Sequence, residues 1–185
     1  MSYISVDVES DGEAPGLFSM VCFGAVVVEP SLSKTFYGQT RPITNAYKPD
    51  ALAISGFSRQ EHEKFDDPLR IMTEFDAWIK ANSIGHPIFI TDNPAFDFAF
   101  INYYFHWLLG RNPFGYSARR IGDLYCGLVG DTRARWKHLR REKFEIDGVK
   151  YKGFEHTHDP LQDCLGNAHV LLYLKEVMEL NIKLT

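Results

Sequence analysis

Four acidic residues and one histidine hold the chemistry in this chain: Asp7 and Glu9 in YISVDVES, Asp97 in TDNPAFDFAF, and His158 with Asp163 in HDPLQDC. A cluster of carboxylates is electrostatically tolerable only when cations neutralise it, and oxygen ligands of this type select hard divalent ions. The set therefore points to metal-dependent phosphoryl chemistry. A histidine suits the accompanying proton transfer because its ordinary pKa lies near neutrality.

The elements that would position these groups can be read locally. In Tyr3-Ile4-Ser5-Val6-Asp7-Val8-Glu9 the apolar residues alternate with Ser5, Asp7 and Glu9, so a period of two puts both carboxylates on one face of a strand. Ile88-Phe89-Ile90 is a short buried-strand run, and Asn93 followed by Pro94 reads as an N-cap with proline at the first helical position. Asp97 then falls in the first turn of a helix running toward Gly110, where an acid is also common simply because it complements the helix dipole. Asp159-Pro160 forms a second cap and first-turn pair, followed by an apolar stripe through Leu161, Leu165, Ala168, Leu171 or Leu172, and Met178. Asp163 is thereby delivered in the first turn and His158 in the preceding loop, while His156 reads as an exposed loop residue.

In this order and setting the residues resemble the DEDDh 3′→5′ exonucleases of the ribonuclease H-like fold, a family that includes proofreading subunits, oligoribonuclease and ribonuclease T. Asp7-Val8-Glu9 is similar to the first motif, Asn93-Pro94-Ala95-Phe96-Asp97 to the second, and His158 through Asp163 to the third; Ala53-Ile54-Ser55-Gly56-Phe57-Ser58 resembles the segment between the first two. The resemblance spans nearly the whole chain. It implies hydrolysis of the last phosphodiester at a free 3′ end with release of a nucleoside 5′-monophosphate, and two Mg²⁺ or Mn²⁺ ions per site. Asp7 would bridge the ions, Glu9 and Asp163 would complete the nucleophile side, Asp97 would support the second ion, and His158 would take the proton of the attacking water. Phe57 is the expected stacking surface for the terminal nucleotide. Ser10 and Asn93, adjoining the first and second motifs, are further substrate-binding candidates.

Two departures bear on substrate choice and leave the five residues in place. Thr91-Asp92 stands where many members have a small residue and a histidine, and the stretch between Arg119 and Tyr151 is basic and hairpin-like where the family is usually helical. Within it, Arg133, Arg135, Lys137, Arg140, Arg141 and Lys143 interleave with Trp136 and His138. Such a run suits either a phosphate-tracking surface with an aromatic platform or a solvated helix face. Asp147-Gly148 between two alternating runs predicts a two-residue hairpin that would project beside the site.

With 185 residues, 45% of them hydrophobic, the chain can bury a sizeable core and shows no linker to divide it, so a single domain over 1–185 is expected. Strands are predicted at residues 3–8, 20–29 and 35–40 as an antiparallel meander. A helix follows over 68–80, capped by Asp66 or Asp67 and faced by Leu69, Met72, Phe75 and Ile79, and a further strand is expected at Ile121. The predicted architecture is α/β: a mixed sheet of three antiparallel strands plus parallel ones, flanked by helices, with the site at strand ends.

The formal charge of −4, from 20 Lys and Arg against 24 Asp and Glu, fits contact with a few terminal nucleotides better than a grip on long duplexes. Short single-stranded RNA or DNA 3′ ends are the expected partners, RNA slightly ahead; a homodimer is compatible and a membrane partner is not expected. Cys22, Cys126 and Cys164 form no CxxC pair, and without a leader-like N-terminus they suit a reducing, cytoplasmic setting. A zinc site from His156, His158, Asp163 and Cys164 is a rival reading, but no second Cys or His pair has structural-zinc spacing. Two other functions compete: a catalytically silent nucleic-acid-binding module on the same fold, which the presence of all five residues opposes, and a ribonuclease H-like endonuclease or other phosphohydrolase, which the His158 to Asp163 spacing opposes.

Overall fold

The structure, a computed structural model, describes residues 1–184. Its centre is β1 (Tyr3–Ser10), which pairs antiparallel with β2 (Met20–Val27); β2 pairs antiparallel with β3 (Thr35–Gln39). On the other side β1 is joined in parallel by β4 (Ile88–Thr91), and β4 by β5 (Ala118–Arg120), giving the order β3-β2-β1-β4-β5. The expected meander extended by parallel strands is thus what the chain builds.

The alternation in β1 divides the molecule into two cores. Ile4, Val6 and Val8 face α3 (Pro68–Asn82) and α4 (Asp97–Leu109), where Met72, Phe75, Phe100 and Tyr104 are fully buried. The opposite face, which carries Ser5, Asp7 and Glu9, is covered by α5 (Ile121–Val129) and α6 (Pro160–Glu176). Apolar burial at roughly 25 cal/mol per Å² favours packing both faces, so the two carboxylates of β1 are turned toward a helix and held near the edge of its packed surface.

Several local expectations are corrected. The regular helix after Asn93 opens at Asp97: the Asn93 carbonyl accepts from both Phe96 and Asp97 N–H, and Pro94 to Phe96 form a turn, with no side-chain cap. Ile121 begins α5 and is not a strand residue, because β4 needs only the three residues of β5 as its edge partner. Asp67, not Asp66, caps α3, and Leu69 lies outside its buried face. Instead of one apolar stripe, α6 is buried nearly all round, since the hairpin β6 (Phe144–Ile146) and β7 (Val149–Tyr151) covers its outer side.

The hairpin itself forms as predicted, with positive φ at both Asp147 and Gly148. It does not stand beside the site: Phe144 stacks on Tyr151 and packs against His169 and Tyr173 on α6. The basic run is not an open stacking platform, though five of its six basic residues, all but Arg140, are exposed as a solvated face would have them. It forms a short 3₁₀ turn, Lys137–Arg141, in which Trp136 and Arg140 are both buried. Among the described residues no helix is long and apolar enough to cross a membrane.

Candidate active site

The strand period makes Asp7 and Glu9 neighbours, and the N-terminus of α6 brings Asp163 to them: one carboxylate oxygen from each of the three lies within 4.8 Å of the others. This approach requires Gly24. Gly24 pairs with Asp7 in the β1–β2 ladder, and a Cβ there would meet the Pro160 carbonyl and the Leu161 nitrogen at 2.5 Å. Asp159 caps the helix by accepting from the N–H groups of Leu161 (2.9 Å) and Gln162 (3.1 Å).

Asp97 arrives from the other face, past the end of β4. The parallel ladder between β1 and β4 ends at Ser5 and Ile90, and the Val8 N–H just beyond donates to Asp97 Oδ1 at 3.1 Å. The buried Thr91 hydroxyl donates to Asp97 Oδ2. The departure from the family pattern at Thr91 thus supplies a side chain that fixes Asp97.

Crowding and burial raise the carboxyl pKa values. Burial is the main cause at Asp7, which is held well above the usual carboxylate range, with Asp97, Asp163 and Glu9 adding repulsion and Arg140 partly offsetting it. Glu9 is pushed to about 8 by burial and then by Asp163 and Asp97. Asp97 is raised to about 7 by burial, against the lowering effect of hydrogen bonds from Thr91, Val8 and Asn93. Groups that hold protons where the ordinary acid is ionised are ready to exchange them for cations. The donor set, all carboxylate oxygen around a partly open cleft, fits hard divalent ions.

Asp163 is the most elaborately held of the set. Its Oδ2 accepts from the His158 N–H at 2.9 Å and lies 2.9 Å from His156 Nδ1, while its Oδ1 accepts from Thr157 N–H at 3.3 Å. Arg140, absent from the sequence reading of this site, donates to Asp163 Oδ1 at 3.1 Å and to Asn167 Oδ1 at 2.5 Å, with its guanidinium over the Trp136 ring. The basic run, read as either a phosphate-tracking surface or a solvated face, therefore gives up its fourth basic residue to the interior. The second acceptor, Asn167, stands one turn beyond Asp163 on the same helix face, and no local pattern around Arg140 signals the pairing.

His158 adopts the left-handed backbone region, φ +58°, which turns its N–H into Asp163 and leaves its ring half-exposed with Nδ1 3.6 Å from Glu9 Oε1. Beside it a cavity of about 250 Å³ is lined by Tyr37, Gly56, Phe57, His158 and Pro160. Phe57 is half-buried, edge-on to Phe65 at 5.0 Å. Its segment is anchored by Arg59, which donates to the buried Asp11 at 2.9 Å. Phe57 is therefore brought to the site. Ser10 is not: it is buried, and its hydroxyl donates to the Gly12 carbonyl within the turn after β1. Asn93 is exposed, but its backbone N–H faces Thr91 Oγ1 (3.3 Å) and Asp97.

No family model matches the chain. The 3′–5′ DNA exonuclease Cap18 of Escherichia coli is 36% identical over 183 residues, covering 96% of this chain and 93% of that protein. The nuclease domain of 3′hExo, a DEDDh family member solved bound to rAMP, superposes with a TM-score of 0.71 over 98% of this chain and 96% of its own, at 17% identity. This chain belongs to the DEDDh 3′→5′ exonuclease family. The exonuclease also shares its fold with the cell-death related nuclease 4, at a TM-score of 0.70 over 95% of this chain and 64% of that one. As a DEDDh exonuclease it is a hydrolase acting on nucleic acid from the 3′ end. The ribonuclease H-like sheet that the family resemblance implied is the fold it has.

Proposed function

We propose that the exonuclease removes nucleoside 5′-monophosphates one at a time from single-stranded DNA 3′ ends, using two Mg²⁺ or Mn²⁺ ions held by Asp7, Glu9, Asp97 and Asp163. The observation that carries this reading is the meeting of Asp7, Glu9 and Asp163 within 4.8 Å, with His158 3.6 Å from Glu9 beside an open cavity. The choice of DNA over the RNA expected from the sequence is supported by the activity of the E. coli relative, which is a DNA exonuclease. The ions, when bound, neutralise the carboxylates and stabilise charge on the attacking and leaving oxygens.

The chain's own groups do the rest. Asp7, on the central strand between Asp97 on one side and Glu9 and Asp163 on the other, would be the carboxylate to contact both ions. Asp97 is fixed by Val8 and Thr91, so its position depends on the sheet rather than on rotamer choice. His158, half-exposed on the loop ahead of α6, takes the proton of the attacking water, and Glu9 steadies the imidazolium that results. Phe57 stacks on the terminal base, a contact tolerant of all four bases. Residues 1–185 act as one domain.

The test is degradation of matched end-labelled DNA and RNA oligonucleotides, with free and blocked 3′ ends, in Mg²⁺ or Mn²⁺. Single-nucleotide ladders from free DNA 3′ ends, faster than from RNA and absent on blocked ends, are expected. Internal cuts on blocked substrates would sink the exonucleolytic assignment, and equal rates on RNA would sink the DNA preference.

A further inference from the structure

One cluster exceeds what carboxylate chemistry needs. His156, His158 and Asp163 each offer a ligand atom, and these atoms all lie within 4.8 Å of one another. The two imidazole rings sit 4.4 Å apart, both about half exposed, above a fully buried Asp163. Hard ions such as Mg²⁺ take oxygen and keep their waters, whereas two imidazoles and one carboxylate are the donor set of borderline transition ions.

From this geometry we infer that His156, His158 and Asp163 form a separate transition-metal site, of the Zn²⁺ class, which shares Asp163 with the carboxylate site and inhibits the enzyme when filled. In a tetrahedral site with bonds near 2.0–2.1 Å, ligand atoms stand about 3.3 Å apart. The 2.9 Å between His156 Nδ1 and Asp163 Oδ2 is already close to that. The nearby Arg140 Nη1, 3.3 Å from the same ring nitrogen, always donates, and so this nitrogen cannot be satisfied toward Arg140 and Asp163 by one tautomer. A cation at the ring nitrogen would take the place of the proton shared with Asp163, while Arg140 keeps its acceptors at Asp163 Oδ1 and Asn167 Oδ1. Cys164, fully buried with its thiol turned to the Leu161 carbonyl, takes no part.

Occupation would tie the His158 ring to the ion and draw Asp163 away from Asp7 and Glu9. The inhibitory half of this inference rests on the proposed role of His158; the binding half does not. His156 is the residue that makes the site, since the other two serve the carboxylate cluster.

The experiment is a Zn²⁺ titration of the full chain in excess Mg²⁺, followed by nitrogen-15 NMR of the histidine side chains. The His156 and His158 ring resonances are expected to move together and saturate at one equivalent, while the signals of His62, His86, His106, His138 and His169 stay fixed. In the His156→Gln variant, the His158 shift should need at least roughly tenfold more Zn²⁺, because one of three protein ligands is gone. Zinc inhibition of nuclease activity, measured against each protein's own zinc-free rate, should move by the same factor. A His158 titration unchanged by His156→Gln overturns the site. Saturation without loss of rate overturns the inhibition and counts against His158 as the base, while leaving the metal site standing.

Discussion

Gly24 lies directly across the β1–β2 ladder from Asp7, and the missing side chain at Gly24 is what lets the first turn of α6 close over Asp7. Backbone atoms of Pro160 and Leu161 occupy the space a Cβ would need, and backbone cannot rotate aside as a flexible side chain can. Gly24→Ala is therefore expected to push the helix start outward, moving Asp163 and His158 together. Overpacking of this kind costs about 1–3 kcal/mol, and an ångström-scale displacement of reacting groups costs roughly a hundredfold in rate. Turnover and a melting curve check it; a variant at near wild-type rate would mean that the helix start is not fixed by this contact.

Asp7 and Asp163 should separate activity from stability in opposite ways. Asp7→Asn removes one of four crowded carboxyls, so nuclease activity is expected to disappear while metal-free melting temperature holds or rises. Asp163→Ala removes the partner of a buried guanidinium and the acceptor of two backbone N–H groups. Its activity should also vanish, but with a stability loss of about 3 kcal/mol, the cost of stranding a buried ionic partner. Equal melting temperatures for the two variants would show that Arg140 does not depend on Asp163.

The raised carboxyl pKa values set a pH dependence whose sign is fixed. Glu9 moves from its ordinary 4.5 to about 8 in the folded protein, and Asp97 from 3.8 to about 7. Between those limits the folded state holds protons that the unfolded state has lost, so metal-free stability falls as pH rises from about 5 to 8. Divalent ions take the place of those protons, and the melting-temperature gain from Mg²⁺ or Mn²⁺ should widen over the same range. A gain that stays flat from pH 5 to 8, measured against chelator-treated protein, would contradict the assignment of these groups as metal ligands.

Phe57→Ala tests the substrate side of the site. Base stacking is worth about 1–3 kcal/mol, so affinity for short single-stranded oligonucleotides in Ca²⁺ should fall roughly tenfold to a hundredfold for every terminal base. The edge-on contact with Phe65 is lost as well, so a modest fall in melting temperature accompanies it. Unchanged affinity with that same fall in stability would assign Phe57 to packing alone.

By itself the sequence determined the elements whose cause is local. Alternation in Tyr3–Ser10 placed Asp7 and Glu9 on one face, Asp159 and Pro160 started α6 where they should, and Asp147-Gly148 formed its turn, because strand period, caps and positive φ depend on neighbouring residues. Together with the motif order, this was enough to indicate the family and its fold. Tertiary structure decided the rest. Arg140 read as surface charge because no local pattern shows that a buried Asp163 and Asn167, 23 and 27 residues later, would take its guanidinium. Thr91 became the anchor of Asp97 only when β4 ended beside β1, and Gly24 became indispensable only when a helix some 136 residues away packed on it. His156 is the exposed loop residue the sequence indicated, and only the left-handed turn at His158 set the two rings edge to face above Asp163. For Arg140 and Gly24 the deciding interaction joins groups distant in the chain; for Thr91 and His156 the partners are near in sequence, but their burial and geometry exist only once the sheet and α6 have closed.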